Sequence, residues 1–167
     1  TIARPGLPAG RRTAALGDIT SIAPTLCELL GIDPLPGMHG ESLLGVMSGE
    51  REAPGAVFAN GGHEPEMRAR YARPENEPSR PKGKSAVYWR HPDSMARAQM
   101  VRTARHKLVV SEVGEHEFYD LERDPFEMEN LWGRPEIASF LPDLMEKLLR
   151  WNLRTTPDRP YLEKFTV

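Results

Sequence analysis

Three runs in the second half of the chain decide its fold: Gln99-Met100-Val101-Arg102-Thr103, Lys107-Leu108-Val109-Val110 and Glu117-Phe118-Tyr119-Asp120-Leu121. Each is short and rich in β-branched, aromatic or other apolar residues, the composition of a pleated, half-buried strand. The connectors, Ala104-Arg105-His106 and Val113-Gly114-Glu115-His116, are short enough for hairpins. The pattern predicts an antiparallel meander that the chain leaves at Asp124-Pro125. Gly55-Ala56-Val57-Phe58-Ala59-Asn60 and Ser85-Ala86-Val87-Tyr88-Trp89 carry strand signals as well. A sheet of about four such strands has one apolar face to cover. Pro135–Thr155 supplies the cover: Leu141, Leu144, Met145, Leu148 and Leu149 form one helical stripe, with Glu146, Lys147 and Arg150 elsewhere. Pro142 inside that span should kink the helix or restart it.

Working outward, Asp18–Leu30 reads as a helix with Asp18, Thr20 or Ser21 as its cap. Pro24 fits only in a first turn, which sets the start near Thr20 or Ser21. Ile22, Leu26, Leu29 and Leu30 make one apolar face, and Gly31 stands where a left-handed C-cap is needed. Ser42–Met47 reads as a short helix. From His63 to Lys84 the chain carries Pro65, Pro74, Pro78 and Pro81 among polar residues, the composition of a long loop. The expected organisation is residues 1–54 as the end of a larger α/β domain and 55–167 as a small subdomain with a Pro/Arg-rich loop at 63–84. The chain begins Thr1-Ile2-Ala3 without Met, and residues 1–50 offer a helix without an obvious partner sheet. We read it as a fragment, expected to self-associate through the uncovered Ile22/Leu26/Leu29/Leu30 face.

Composition narrows the function. The 22 basic and 24 acidic residues nearly cancel, to a net charge of −2, so nothing in the charge points to nucleic acid or an anionic membrane. No apolar run approaches the ~20 residues of a membrane span. The single cysteine, Cys27, excludes an internal disulfide framework.

Two stretches resemble the sulfatase family, of the alkaline-phosphatase-like superfamily. The first is Asp18-Ile19-Thr20-Ser21-Ile22-Ala23-Pro24-Thr25-Leu26 with Leu29-Leu30-Gly31-Ile32 and Gly40-Glu41-Ser42-Leu43-Leu44. The second is Arg102-Thr103-Ala104-Arg105-His106-Lys107-Leu108, followed by Tyr119-Asp120-Leu121-Glu122-Arg123-Asp124-Pro125-Phe126-Glu127 and Glu129-Asn130-Leu131. It is similar to the C-terminal subdomain of sulfatases. The resemblance implies an α/β superfamily fold, α+β within this chain: the end of an alkaline-phosphatase-like domain, then an antiparallel four-stranded sheet packed by an amphipathic C-terminal helix. It implies hydrolysis of sulfuric esters by the intact relative, with a sulfated small molecule or glycan as substrate. It also implies a formylglycine, made from Cys or Ser in Cys/Ser-x-Pro-x-Arg, and a calcium ion. Both are expected upstream, in a catalytic domain that would be this chain's partner. A phosphonate or phosphodiester hydrolase of the same superfamily, or a non-catalytic binding module, remains an alternative.

The nucleophile motif has no counterpart here. Cys27 is followed by Glu28-Leu29-Leu30 beside an apolar stripe and reads as a structural thiol. Asn76-Glu77-Pro78-Ser79-Arg80 has the Pro-Ser-Arg end, but Asn76 stands at the nucleophile position. No catalytic or metal-ligating residue is therefore assigned: Asp18 reads as a cap, and Asp120 and Asp124 as turn-closing carboxylates. His39, His63, His91, His106 and His116 show no metal spacing, His63-Glu64 lacks a second His four residues on, and Gly40-Glu41-Ser42-Leu43-Leu44 lacks the second glycine of a nucleophile elbow. The isolated chain is expected to hydrolyse no aryl sulfate.

The substrate-binding candidates are His63 and Arg102. Asn60-Gly61-Gly62-His63 ends a strand at glycines that let the backbone turn sharply. In the resembled fold the strand ends face the cleft, and guanidinium groups suit sulfate oxygens. An exposed loop histidine, and an Arg102 paired with Asp120 or Glu117, are the plain alternatives. Tyr88 and Trp89 beside Arg90 offer either a stacking platform or core packing.

Overall fold

The computed structural model describes residues 10, 12–71, 87–88 and 90–156. By packing the chain divides into two units, residues 1–57 with 145–167, and residues 58–144.

In the first unit the Asp18 carboxylate accepts from Ser21 N (3.2 Å) and Thr20 Oγ1 (2.5 Å), capping a 3-10 turn over Ile19–Ser21. Helix α1, Ile22–Leu30, follows directly, with Pro24 in its first turn as its missing N–H requires. Gly31 closes it at φ 69, and Ile32 N reaches back to Cys27 O (3.0 Å). The Ile22, Leu26 and Leu30 face is open to solvent, at 48%, 52% and 72% exposure, whereas Ser21, Pro24, Thr25 and Cys27 are buried. Thr25 explains part of that: its hydroxyl donates to Ser21 O (2.6 Å) and accepts from Leu43 N (2.8 Å), tying the following loop to α1. Helix α2 spans Leu44–Ser48 and ends at Gly49, φ 88; Ser42 stays outside it, its hydroxyl accepting from Leu44 N (3.2 Å).

In the second unit the expected α+β sheet is present. Strands β1 (Val57–Gly61), β2 (Ala98–Arg102), β3 (His106–Ser111) and β4 (Glu117–Asp120) lie in that order. Antiparallel pairing sets Val101 opposite Leu108 and Leu108 opposite Phe118. These three are the buried centre of one face, at 0%, 0% and 1% exposure. The period-2 rule then places His106 and Asp120 on that face, and Lys107 and Tyr119 on the other. From the covering segment Phe140 stacks on Phe118 and packs tilted against His106, and the segment's Ile137 and Leu144 are also buried. Pro142 restarts rather than kinks: a 3-10 turn, Pro135–Ile137, precedes helix α3 of the C-terminal segment, Leu141–Thr155, with Pro142 second in it.

Two sequence expectations are overturned. Ser85–Trp89 is not a strand where it is described: Val87, Tyr88 and Arg90 are helical, and His91 N bonds Val87 O (2.8 Å). A short apolar run does not distinguish strand from helix by periodicity. The 63–84 loop is not all loop, because Pro65–Tyr71 is a helix. Pro65 is its first residue and Glu66 lies in its first turn, both favourable there, so the proline read as a loop marker is a helix start. The remainder, including Asn76–Arg80, lies outside the described residues, as does Trp89.

Candidate functional site

The His63 turn is built by Gly62. Gly62 sits at φ 95 with its backbone against Ala96 and Arg97; an added Cβ would run into the Ala96 carbonyl and lie 2.6 Å from Arg97 Cα. His63 N donates to Met95 O (2.8 Å), pinning the turn to the buried Met95-Ala96 corner. The His63 side chain itself is exposed. Beyond it, Glu64 pairs with Arg97 (3.1 Å), and Arg68 of the Pro65–Tyr71 helix pairs with Glu112 (2.5 Å). The first pair is largely exposed and holds the turn only weakly; the second is half-sheltered. The arrangement presents an imidazole and a guanidinium from a rigid corner, a geometry suited to hydrogen-bonding hydroxyl and anionic oxygens.

Arg102 stands elsewhere. The end of β1 meets the start of β2, at Ala96-Arg97, whereas Arg102 closes β2 at its far end. Four residue steps of strand separate it from Ala98, about 13 Å along the sheet. The structure therefore does not bring His63 and Arg102 together, and Arg97 is the arginine beside His63. Arg102 is exposed opposite Lys107, and the arginine paired with Asp120 is Arg105 (3.2 Å). No sequence motif marks Arg97, because its neighbour Glu64 is 33 positions away.

The motif carboxylates are held by backbone and arginine. Asp120 Oδ1 accepts from Glu122 N (3.1 Å) and Oδ2 from Arg105 Nη2. Burial works upward on the Asp120 carboxyl, but the Arg105 hydrogen bond and the Glu122 and Arg123 N–H groups outweigh it and hold it below the usual range. Asp124 Oδ2 accepts from Glu129 N (2.8 Å), so both carboxylates close turns. On the other face Tyr119 donates to Glu117 (3.0 Å), and Lys107 pairs with Glu127 beneath the Tyr119 ring. Burial first, then Glu117, push the Tyr119 phenol up to about 12.

The residues described do not fit a calcium cage or a formylglycine. No three His, Cys, Asp or Glu side chains among them stand together as metal ligands. Cys27 is buried in α1 without the Pro and Arg that would follow a formylglycine precursor.

Residues 77–154 match the family model of N-sulphoglucosamine sulphohydrolase, C-terminal. The chain is 27% identical over 165 residues to an N-acetylglucosamine-6-O-sulfatase of Bacteroides thetaiotaomicron, covering 96% of this chain and 25% of that protein. It thus spans about a quarter of the length of that curated relative. A protein solved in complex with its substrate D-glucosamine-2-N,6-O-disulfate superposes with a TM-score of 0.58 at 23% identity, over 84% of this chain and 24% of that one. A phosphonate monoester hydrolase from Silicibacter pomeroyi superposes with a TM-score of 0.65 at 22% identity, over 93% of this chain and 29% of that one. Residues 77–154 thus match the C-terminal part of sulfatase-family proteins.

Proposed function

We propose that this chain serves a sulfuric ester hydrolase as packing support and substrate rim, while the nucleophile and the metal-binding carboxylates come from an upstream catalytic domain. The observation that carries the rim role is the Gly62–His63 turn: a backbone held by close approach to Ala96-Arg97, with an exposed imidazole at its tip. His63 donates or accepts at a substrate hydroxyl or sulfate oxygen, and the substrate class is a sulfated sugar. Arg102 is a second rim candidate, separate from the first by the length of β2.

The test uses the complete protein that carries this chain. His63→Ala should lower kcat/KM for a sulfated sugar roughly ten-fold, the loss of about 1.4 kcal/mol of binding. A small aryl sulfate, which does not reach the rim, should lose much less. Equal losses on both substrates indicate a folding defect, and no loss on either removes His63 from the rim.

A phosphonate or phosphodiester hydrolase is the second reading, favoured by the phosphonate monoester hydrolase whose superposition covers 93% of this chain. Competing turnover of an aryl sulfate and a phenyl phosphonate by the complete protein separates the two.

A further inference from the structure

His106 opens β3 opposite Asp120, with 9% of its surface exposed. Its imidazole packs against the rings of Phe118 (5.4 Å) and Phe140 (4.3 Å). Nε2 is closed off from solvent and has no hydrogen-bond partner. A neutral ring tolerates one unpartnered nitrogen among phenyl rings; an imidazolium there would be a buried charge with a donor and nothing to receive it.

The charges around it are few. Arg105, the preceding residue, lies over Phe140 at 5.7 Å and is bound to Asp120. Asp120 and Glu122 act from the β4 side and favour a charged ring, but both pair with that same guanidinium. Lys107 and its partner Glu127 belong to the opposite face of the sheet. On the covering segment the charged residues nearest Phe140 in sequence are Glu136 and Asp143. Burial, reinforced by Arg105, prevails over Asp120 and Glu122 and draws the imidazole below its ordinary value.

We propose that His106 is an acid-released latch: taking up a proton drives its ring away from Phe118 and Phe140, which it packs beside, and frees the covering segment from the sheet. The packed state resists protonation, so its stability is fully present above the unfolded value near 6.5 and is lost as pH falls below it.

The test compares the full chain with His106→Phe, which keeps a ring against the two phenylalanines and cannot titrate. Denaturant unfolding at pH 7.5 and 5.5 gives the folding constant of each. The wild type should lose up to about tenfold more than the variant over that interval, the limit for one group near 6.5 that the folded state leaves neutral. The same loss in both proteins overturns the proposal, because His39, His63, His91 and His116 are common to the pair. Should the variant not fold, NMR titration of the wild-type His106 ring decides: a midpoint clearly below 6.5 supports the latch, and one at or above 6.5 overturns it.

Discussion

Asn130 Oδ1 accepts the Phe118 N–H at 3.0 Å, while Asn130 Nδ2 donates to His116 O at 3.0 Å. With Leu131 N bonded to Phe118 O (2.8 Å), the chain after the sheet serves the outer edge of β4 as a further strand would. The same Oδ1 receives Trp132 N (2.9 Å), and the Trp132 ring meets His116 edge-on at 4.7 Å. One amide thus fixes both the edge strand and the loop that covers it. Asn130→Ala should cost about 1–3 kcal/mol, the range for leaving backbone groups unpaired. Asn130→Asp keeps the acceptor and should cost less. Equal costs by denaturant unfolding would contradict this division of roles.

Asp120 should produce a second acid transition, at lower pH than that of His106. Its carboxyl is held below the ordinary value of 3.8, so its contribution is present above that pH and is lost as pH falls through the lower folded value. Asp120→Asn should therefore be less stable than wild type at pH 7, with the gap closing as pH falls below the ordinary carboxyl value. A gap that persists at pH 2 would assign the loss to packing rather than charge.

Gly62→Ala meets both obstacles at once, a positive φ and a Cβ directed at the Ala96 carbonyl. Destabilisation should exceed the ~1 kcal/mol of an ordinary glycine replacement at positive φ. Gly114→Ala, at φ 84 with nothing near its Cβ, is the control and should show the conformational cost alone. Similar melting temperatures for the two variants would remove the close approach as the reason for this glycine.

Glu127 is the one non-glycine residue with positive φ among those described, at 57°. Its carboxylate pairs with Lys107, an interaction at the sheltered side of a surface ion pair. Replacing Glu127 by Ala or by Gly removes that pair equally, but only glycine relieves the left-handed backbone. Glu127→Gly should be about 1 kcal/mol more stable than Glu127→Ala. The reverse order in thermal unfolding would mean that the turn relaxes when the pair is lost.

Strand and helix positions along 98–155 were legible because alternation, hairpin-length connectors and a 3.6-residue stripe are local signals, each completed within a few residues. Pro24, Gly31 and Pro142 were readable for the same reason: their backbone limits act on their own turns. Asp120 and Asp124 were correctly read as turn closers, since their targets lie two and five residues on. Local signals failed where one residue type serves two ends of the menu, as Pro65 does by starting a helix and Val87-Tyr88 does by continuing one. What only the tertiary structure decided is which side chains meet. The Glu64–Arg97 pair, the Asn130 clasp on Phe118 and the enclosure of His106 by Phe118 and Phe140 join residues 12 to 34 positions apart. Such contacts depend on strand register and on where the covering segment lands, and neither is written in the pattern of any single element.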